Sequence, residues 1–220
     1  LWTILGSTHP LSPPNKPHNS LYIVSDKGKL IDRYDKRFCA GDSLETMGDL
    51  EHYSSGNHFS IFDVKGIHCG ALICHDYRYP ELYREYKRRG VQLMFHSYHA
   101  AHVDAKRLNL IEAAIGSQNF SNSRGTTYPE ITMPASTIAA AASNHMWISC
   151  PNSSAKESCW GSFFVRADGV ITGQLERHST DVLLSTLDTE EELYDSTAAW
   201  RARVLNGILH SGTLAQDERS

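Results

Sequence analysis

A strand, a tight glycine turn and a second strand recur at separated places in this chain, and that layout constrains the fold more than any other feature. Residues 20–25 lead through Asp26-Lys27-Gly28 into residues 29–34. Residues 59–64 lead through Lys65-Gly66 into 67–74, and residues 162–166 lead through Ala167-Asp168-Gly169 into 170–175. Apolar runs of this length around a turn glycine form hairpins. Residues 1–5 read as a strand already under way, 91–97 and 146–150 as buried strands, and 182–187 as a late strand. Helical signals fall between them. Pro80 and Glu81 suit a first turn, where proline loses no hydrogen bond and an acid complements the dipole; that helix should run to about Arg89, with Gly90 as its cap. Residues 135–143 are alanine-rich and favour helix, with Pro134 near the start, and the polar stretch 118–128 reads as an exposed loop. Hairpins mixed with strand–helix–strand units imply sheets covered by helices in a layered α/β domain.

A length of 220 residues suits one such domain, and 40% hydrophobic with 21% charged residues is ordinary for a globular protein. The net charge of −4 leaves no basic stripe for phosphates, which argues against nucleic acid as a partner. No apolar run approaches the roughly 20 residues that span a bilayer. The five cysteines, Cys39, Cys69, Cys74, Cys150 and Cys159, form no Cys-x-x-Cys pair, and their odd, irregular set argues against a disulfide scaffold. Free thiols in a reducing compartment, the cytoplasm, are the plainer expectation. Leu1 is not a methionine, so the natural start need not be here.

The sharpest local feature is Gly70-Ala-Leu-Ile-Cys74-His-Asp-Tyr-Arg-Tyr-Pro80-Glu81. An apolar strand ends at Cys74 and a helix begins about six residues on. A thiol at such a turn is exposed and flanked by backbone N–H groups that stabilise a thiolate and an oxyanion, so its pKa is expected below that of a free thiol. On this segment alone, a buried structural cysteine is the favoured reading. The second feature is Arg33-Tyr-Asp-Lys36-Arg-Phe-Cys39. Lys36 follows a strand end, where in a pocket it acts as a point charge toward an oxyanion and on the surface is only solvated.

Together the segments YDKRFC, SSGNHF and CGALICHDYRYPELY, in that order, resemble the nitrilase or carbon–nitrogen hydrolase superfamily, and the resemblance continues through VQLMFHS, TMPA, NHMWIS, SFFVRADGVITG and GILHSGTL. It implies a single carbon–nitrogen hydrolase domain over residues 1–220 with a four-layer α-β-β-α sandwich, assembled as a homodimer or larger homo-oligomer. It implies that Cys74 is the nucleophile and Lys36 the oxyanion partner in a family whose catalytic set is Glu, Lys and Cys. The family's first glutamate lies well upstream of the lysine, and residues 1–35 contain none, so an N-terminal segment is expected to be lacking and with it the general base. A further glutamate a few residues before a glycine is assigned to Glu51, five before Gly56, with Glu45 the weaker choice; a solvated loop acid is the alternative for Glu51. His75 (through its backbone N–H), Ser97 and Tyr98 are candidates to bind substrate, and Asp76 and Arg78 to brace the turn.

The substrate implied is a small amide or N-carbamoyl compound, cleaved through a cysteine thioester without a cofactor. An amidase is favoured because nitrilases resemble Cys-Trp-Glu after the nucleophile, whereas Cys-x-Asp stands here. Ser136 replaces the arginine that often follows TMPA, which loosens transfer of fine specificity. Nitrile hydrolysis and a non-catalytic assembly or binding role are the alternatives. His96, His99 and His102 stand at i, i+3 and i+6, but no companion acid motif accompanies them and His96 belongs to a strand by pattern, so no metal site is assigned.

Overall fold

A computed structural model describes residues 1–44, 47–99, 105–121, 123, 125–156 and 158–217. Its first three strands, β1 (Thr3–His9), β2 (His18–Val24) and β3 (Leu30–Asp35), form an antiparallel sheet in chain order. A six-stranded sheet follows, again in chain order: β4 (Ile61–Val64), β5 (Ile67–Ile73), β6 (Leu93–Ser97), β7 (Trp147–Cys150), β8 (Phe163–Val165) and β9 (Ile171–Gln174). Its centre, β5-β6-β7, is parallel and its flanks are antiparallel hairpins. The three glycine-turn hairpins expected from sequence are thus β2–β3, β4–β5 and β8–β9.

Helices supply the parallel crossovers. The helix α1 (Pro80–Arg88) carries Pro80 in its first turn and buries Leu82, Tyr83 and Tyr86. Tyr86 presses so closely on β5 that a Cβ at Gly70 would meet its ring at 2.9 Å, which leaves glycine the fitting residue there. That approach brings the Tyr86 hydroxyl within 2.8 Å of the Ala71 carbonyl. A second helix, α2 (Ala105–Ile115), has no counterpart in the sequence reading; its periodicity is blurred by apolar and charged residues on all sides. The third, α3 (Tyr128–Asn144), begins earlier than residue 135 and keeps Pro134 inside. Thr127 caps it by accepting from the Glu130 N–H, and Pro129 suits the first turn, so nucleation occurs before the alanine run. Of the expected loop over residues 118–128, α3 takes only Tyr128, and a 3-10 turn, Ser117–Phe120, opens the rest.

The main apolar cluster joins Leu21 and Tyr34 of the small sheet to Ala71, Ile73, Met94 and Ile148 of the large one and to Tyr83, Tyr86 and Met133 of the helices. A second cluster joins Ile23 to Phe62 and Cys69, with Trp2 and Ile4 packed against it. The two sheets therefore share buried side chains. The strand expected over residues 182–187 is not formed. Leu183, Leu187 and Leu193 instead pack on Trp147, Phe164 and Ala167, so the segment buries side chains against the sheet without joining its ladder. A last short helix, α4 (Arg201–Leu205), follows.

Candidate active site

Two strand ends converge. At the carboxyl end of β3, Lys36 is clamped through its backbone: its N–H donates to Asn19 O at 2.8 Å and its carbonyl accepts from Gly56 N at 2.9 Å. Its side chain is buried, and Nζ donates to Asp49 Oδ2 at 2.8 Å. At the carboxyl end of β5 the chain enters a 3-10 turn, Cys74–Arg78, with Cys74 at φ 43°. A left-handed non-glycine residue costs about 1–2 kcal/mol and persists only where its surroundings fix it.

Asp76 is one of the groups that fix it. Fully buried, it accepts from Ile73 N at 3.0 Å, Phe38 N at 2.9 Å and the Tyr34 hydroxyl at 2.8 Å. One carboxylate thus ties the Cys74 turn to the lysine loop, as expected of a bracing residue. Burial pushes its pKa up against the pull of those donors. Arg78 lies over the rings of Tyr77, at 5.0 Å, and Tyr128, at 5.5 Å.

Cys74 and Lys36 open into one cavity of about 570 Å³, which Asp49, His75, Ser97 and Tyr98 also line. Ser97 pairs with Ile73 across the β5–β6 ladder, so it sits beside Cys74 by register. The sequence candidates Cys74, Lys36, His75, Ser97 and Tyr98 are therefore brought together. Glu51 is not: it ends a short 3-10 turn, Gly48–Glu51, on an exposed position outside the cavity lining. Glu45 lies outside the described residues. The acid against Lys36 is Asp49, two residues earlier in the same turn, which also accepts from Ala40 N at 2.9 Å. The family resemblance calls for a glutamate, and no local signal separates Asp49 from Glu51; the fold alone lays it on the lysine.

The electrostatics differ from the simple expectation of an activated thiol. Burial holds Cys74 above its ordinary pKa, although the Lys36 ammonium and a hydrogen bond from the His99 backbone act the other way. Burial also opposes the charge on Lys36, but Cys74 and Asp49 outweigh it and hold the lysine protonated. Asp49 is lowered despite burial, because Lys36 donates to it. Burial, reinforced by Arg78 and Lys36, takes His75 down to about 4, so its imidazole is neutral at pH 7. Among the described residues, the acids lining the cavity are Asp42, ion-paired with Arg107 at 2.8 Å, and Asp49.

Of the three histidines, His96 is buried within the sheet, His99 lines the cavity and His102 lies outside the described residues. Among the described residues no group of His, Cys, Asp or Glu side chains is placed to hold a metal ion. No helix among them is long and apolar enough to cross a membrane.

The carbon-nitrogen hydrolase family model matches residues 1–193. The chain is 29% identical over 105 residues to 2-oxoglutaramate amidase of Bacillus subtilis (strain 168), covering 47% of this chain and 39% of that protein. It is 29% identical over 94 residues to Omega-amidase NIT2 of Homo sapiens, covering 41% and 34%. A butyramide complex of a variant of the amidase from Nesterenkonia sp. AN1 superposes with a TM-score of 0.58 at 16% identity, covering 80% of this chain and 58% of that one. A second variant of the same amidase, with the acetamide moiety of fluoroacetamide added covalently at its active-site cysteine, gives 0.58 at 17% identity over 80% and 58%. These structural likenesses concern the fold, and the chain spans well under two thirds of the length of each of these proteins.

Proposed function

The chain belongs to the carbon-nitrogen hydrolase family, and from that premise we propose that it hydrolyses the carbon–nitrogen bond of a small amide or N-carbamoyl compound through a thioester on Cys74. One observation carries the reading: a left-handed cysteine at a strand end shares a cavity with a buried, acid-paired lysine whose charge acts on the thiol. The Cys74 thiolate adds to the carbonyl carbon, forming a C–S bond. The oxyanion is held by the Lys36 ammonium and the His75 backbone N–H, one of the first-turn donors that lack an intrahelical partner. Collapse of the tetrahedral species breaks the C–N bond, the proton given up by the Cys74 thiol goes to the departing nitrogen, and water cleaves the thioester, releasing the acid and restoring the thiol. Ser97 and Tyr98 shape the substrate side of the cavity, and Asp49 takes the acid position beside Lys36 in place of Glu51. Because Lys36 donates to Asp49 and holds its carboxyl below the ordinary range, Asp49 is a poor base, and deacylation is the slow step in this reading.

The wider reading rests on the same family. The architecture is the α-β-β-α sandwich, supported by two sheets that share buried clusters. A homodimer or larger assembly is supported by apolar side chains left exposed in the C-terminal stretch, among them Leu184, Tyr194 and Leu209. Five free cysteines favour a reducing cytoplasm. The test is ammonia release from short aliphatic amides, butyramide first, and from amides carrying a distal carboxylate, with Cys74→Ala as control. Release that depends on Cys74 supports the proposal; release that survives its replacement overturns it.

A further inference from the structure

His96 occupies the middle of the large sheet, where nothing in the mechanism above uses it. Its side chain is fully buried. Nδ1 lies 2.5 Å from the Tyr83 hydroxyl, and Nε2 lies 3.1 Å from the carbonyl oxygen of Cys74. The Tyr98 ring stacks on the imidazole with centroids 4.3 Å apart and planes 8° from parallel. A carbonyl oxygen only accepts, so Nε2 carries the proton. Nδ1 is then the acceptor and the Tyr83 hydroxyl the donor. Burial keeps that phenol protonated and the imidazole neutral, His96 falling to about 3.

The consequence lies on the other side of one peptide bond. A trans peptide is planar, so the carbonyl of Cys74 and the N–H of His75 point in opposite directions. Whatever holds that carbonyl toward the sheet interior aims the His75 N–H away from it. We propose that His96 is a positioning residue: its Nε2–H anchors the Cys74 carbonyl, and thereby fixes both the left-handed conformation of the nucleophile and the direction of the oxyanion donor. Tyr83 sets the tautomer that makes this possible, and Tyr98 holds the plane of the ring. The chain of control runs from α1 through β6 to the turn after β5, with no contact to substrate by His96 itself.

This inference rests on the proposed thioester chemistry, so its test uses acyl transfer rather than amide turnover. p-Nitrophenyl acetate acylates a thiolate at the carbonyl carbon: the C–S bond forms, an oxyanion develops, and p-nitrophenolate leaves. Methyl methanethiosulfonate is attacked at sulfur and needs no oxyanion donor. In the full chain, His96→Leu is expected to slow acylation of Cys74, located by peptide mass, about tenfold or more while changing the thiosulfonate rate less than about twofold. His96→Gln, whose amide N–H reaches the same carbonyl, is expected to recover most of the acylation rate. Long-range proton–nitrogen spectra of the 15N-histidine-labelled wild type should show His96 as the neutral Nε2–H tautomer, a readout independent of any variant's folding. An Nδ1–H tautomer, an equal slowing with both probes, an unaffected acylation rate, or a wild-type Cys74 that is not acylated overturns the inference. If the acylation split holds but the wild type releases no ammonia from amides, the proposed function fails and the role of His96 stands.

Discussion

The turn Cys74–Arg78 and the stretch over residues 181–217 meet the same large sheet in opposite ways. The turn is short, polar and strained, yet it is held by Asp76, which satisfies two backbone donors and a phenol at once, and by His96 from below. The C-terminal stretch is long and carries many apolar side chains, yet Leu183, Leu187 and Leu193 are those packed on the sheet cluster, while Val182, Leu184 and Tyr194 are 74%, 88% and 80% exposed. The difference teaches that the burial of the polar contact separates the two: Asp76 holds the turn from a fully buried position, whereas Asp195 of the tail holds Thr197 and Arg201 from a half-buried one.

The comparison breaks first, if it is wrong, at Asp76. Asp76→Ala leaves two buried N–H groups and the Tyr34 hydroxyl without their acceptor, and is expected to destabilise the fold by about 3–5 kcal/mol in denaturant titration. A loss within about 0.5 kcal/mol, the range of ordinary surface changes, would make the turn no more constrained than the tail. Lys36→Met should leave the secondary structure intact and slow acylation of Cys74 by roughly two to three powers of ten; near-normal acylation would remove the lysine from the site.

A pH series sharpens the electrostatic half of the comparison. Cys74 is held above its ordinary thiol pKa, so its thiolate fraction, and with it the rate of iodoacetamide labelling, rises with pH through and beyond the ordinary thiol range. Below its pKa the rate should climb about tenfold per pH unit; a plateau reached already at pH 7 would show a lowered pKa. The smallest effects belong to the tail. Leu184→Ser is expected to change stability by less than about 0.5 kcal/mol, and Leu183→Ala to cost more, toward about 1–2 kcal/mol, since Leu183 packs on the sheet and Leu184 does not. Equal costs would erase the distinction within the tail.

The hairpins and the helix α1 were legible in local signals, turn glycines and a first-turn proline, whereas the meeting of Lys36 with Cys74 was implied only by the family resemblance that the segments carry together. What escaped was set by tertiary context. The extent of α3 depends on a threonine cap well before the alanine run, and the tail leucines satisfy a strand pattern while burying side chains on the sheet rather than pairing with its edge. Asp49 escaped because its role comes from a fold that lays a 3-10 turn over a lysine, and Glu51 in the same turn faces outward. The raised thiol escaped because burial, invisible in the sequence, exceeds the pull of Lys36.

The central claim is that Cys74 carries the acyl group, and it is tested most directly by acid-quenching the protein seconds after mixing with butyramide and mapping the adduct by mass spectrometry. Because Lys36 holds Asp49 as a poor base, hydrolysis of the thioester is expected to lag behind its formation. The expected result is a butyryl group on the Cys74 peptide, absent from Cys74→Ala, with ammonia released in step with its appearance. Ammonia release with no acyl group on Cys74, or equal release from the alanine variant, would contradict the claim.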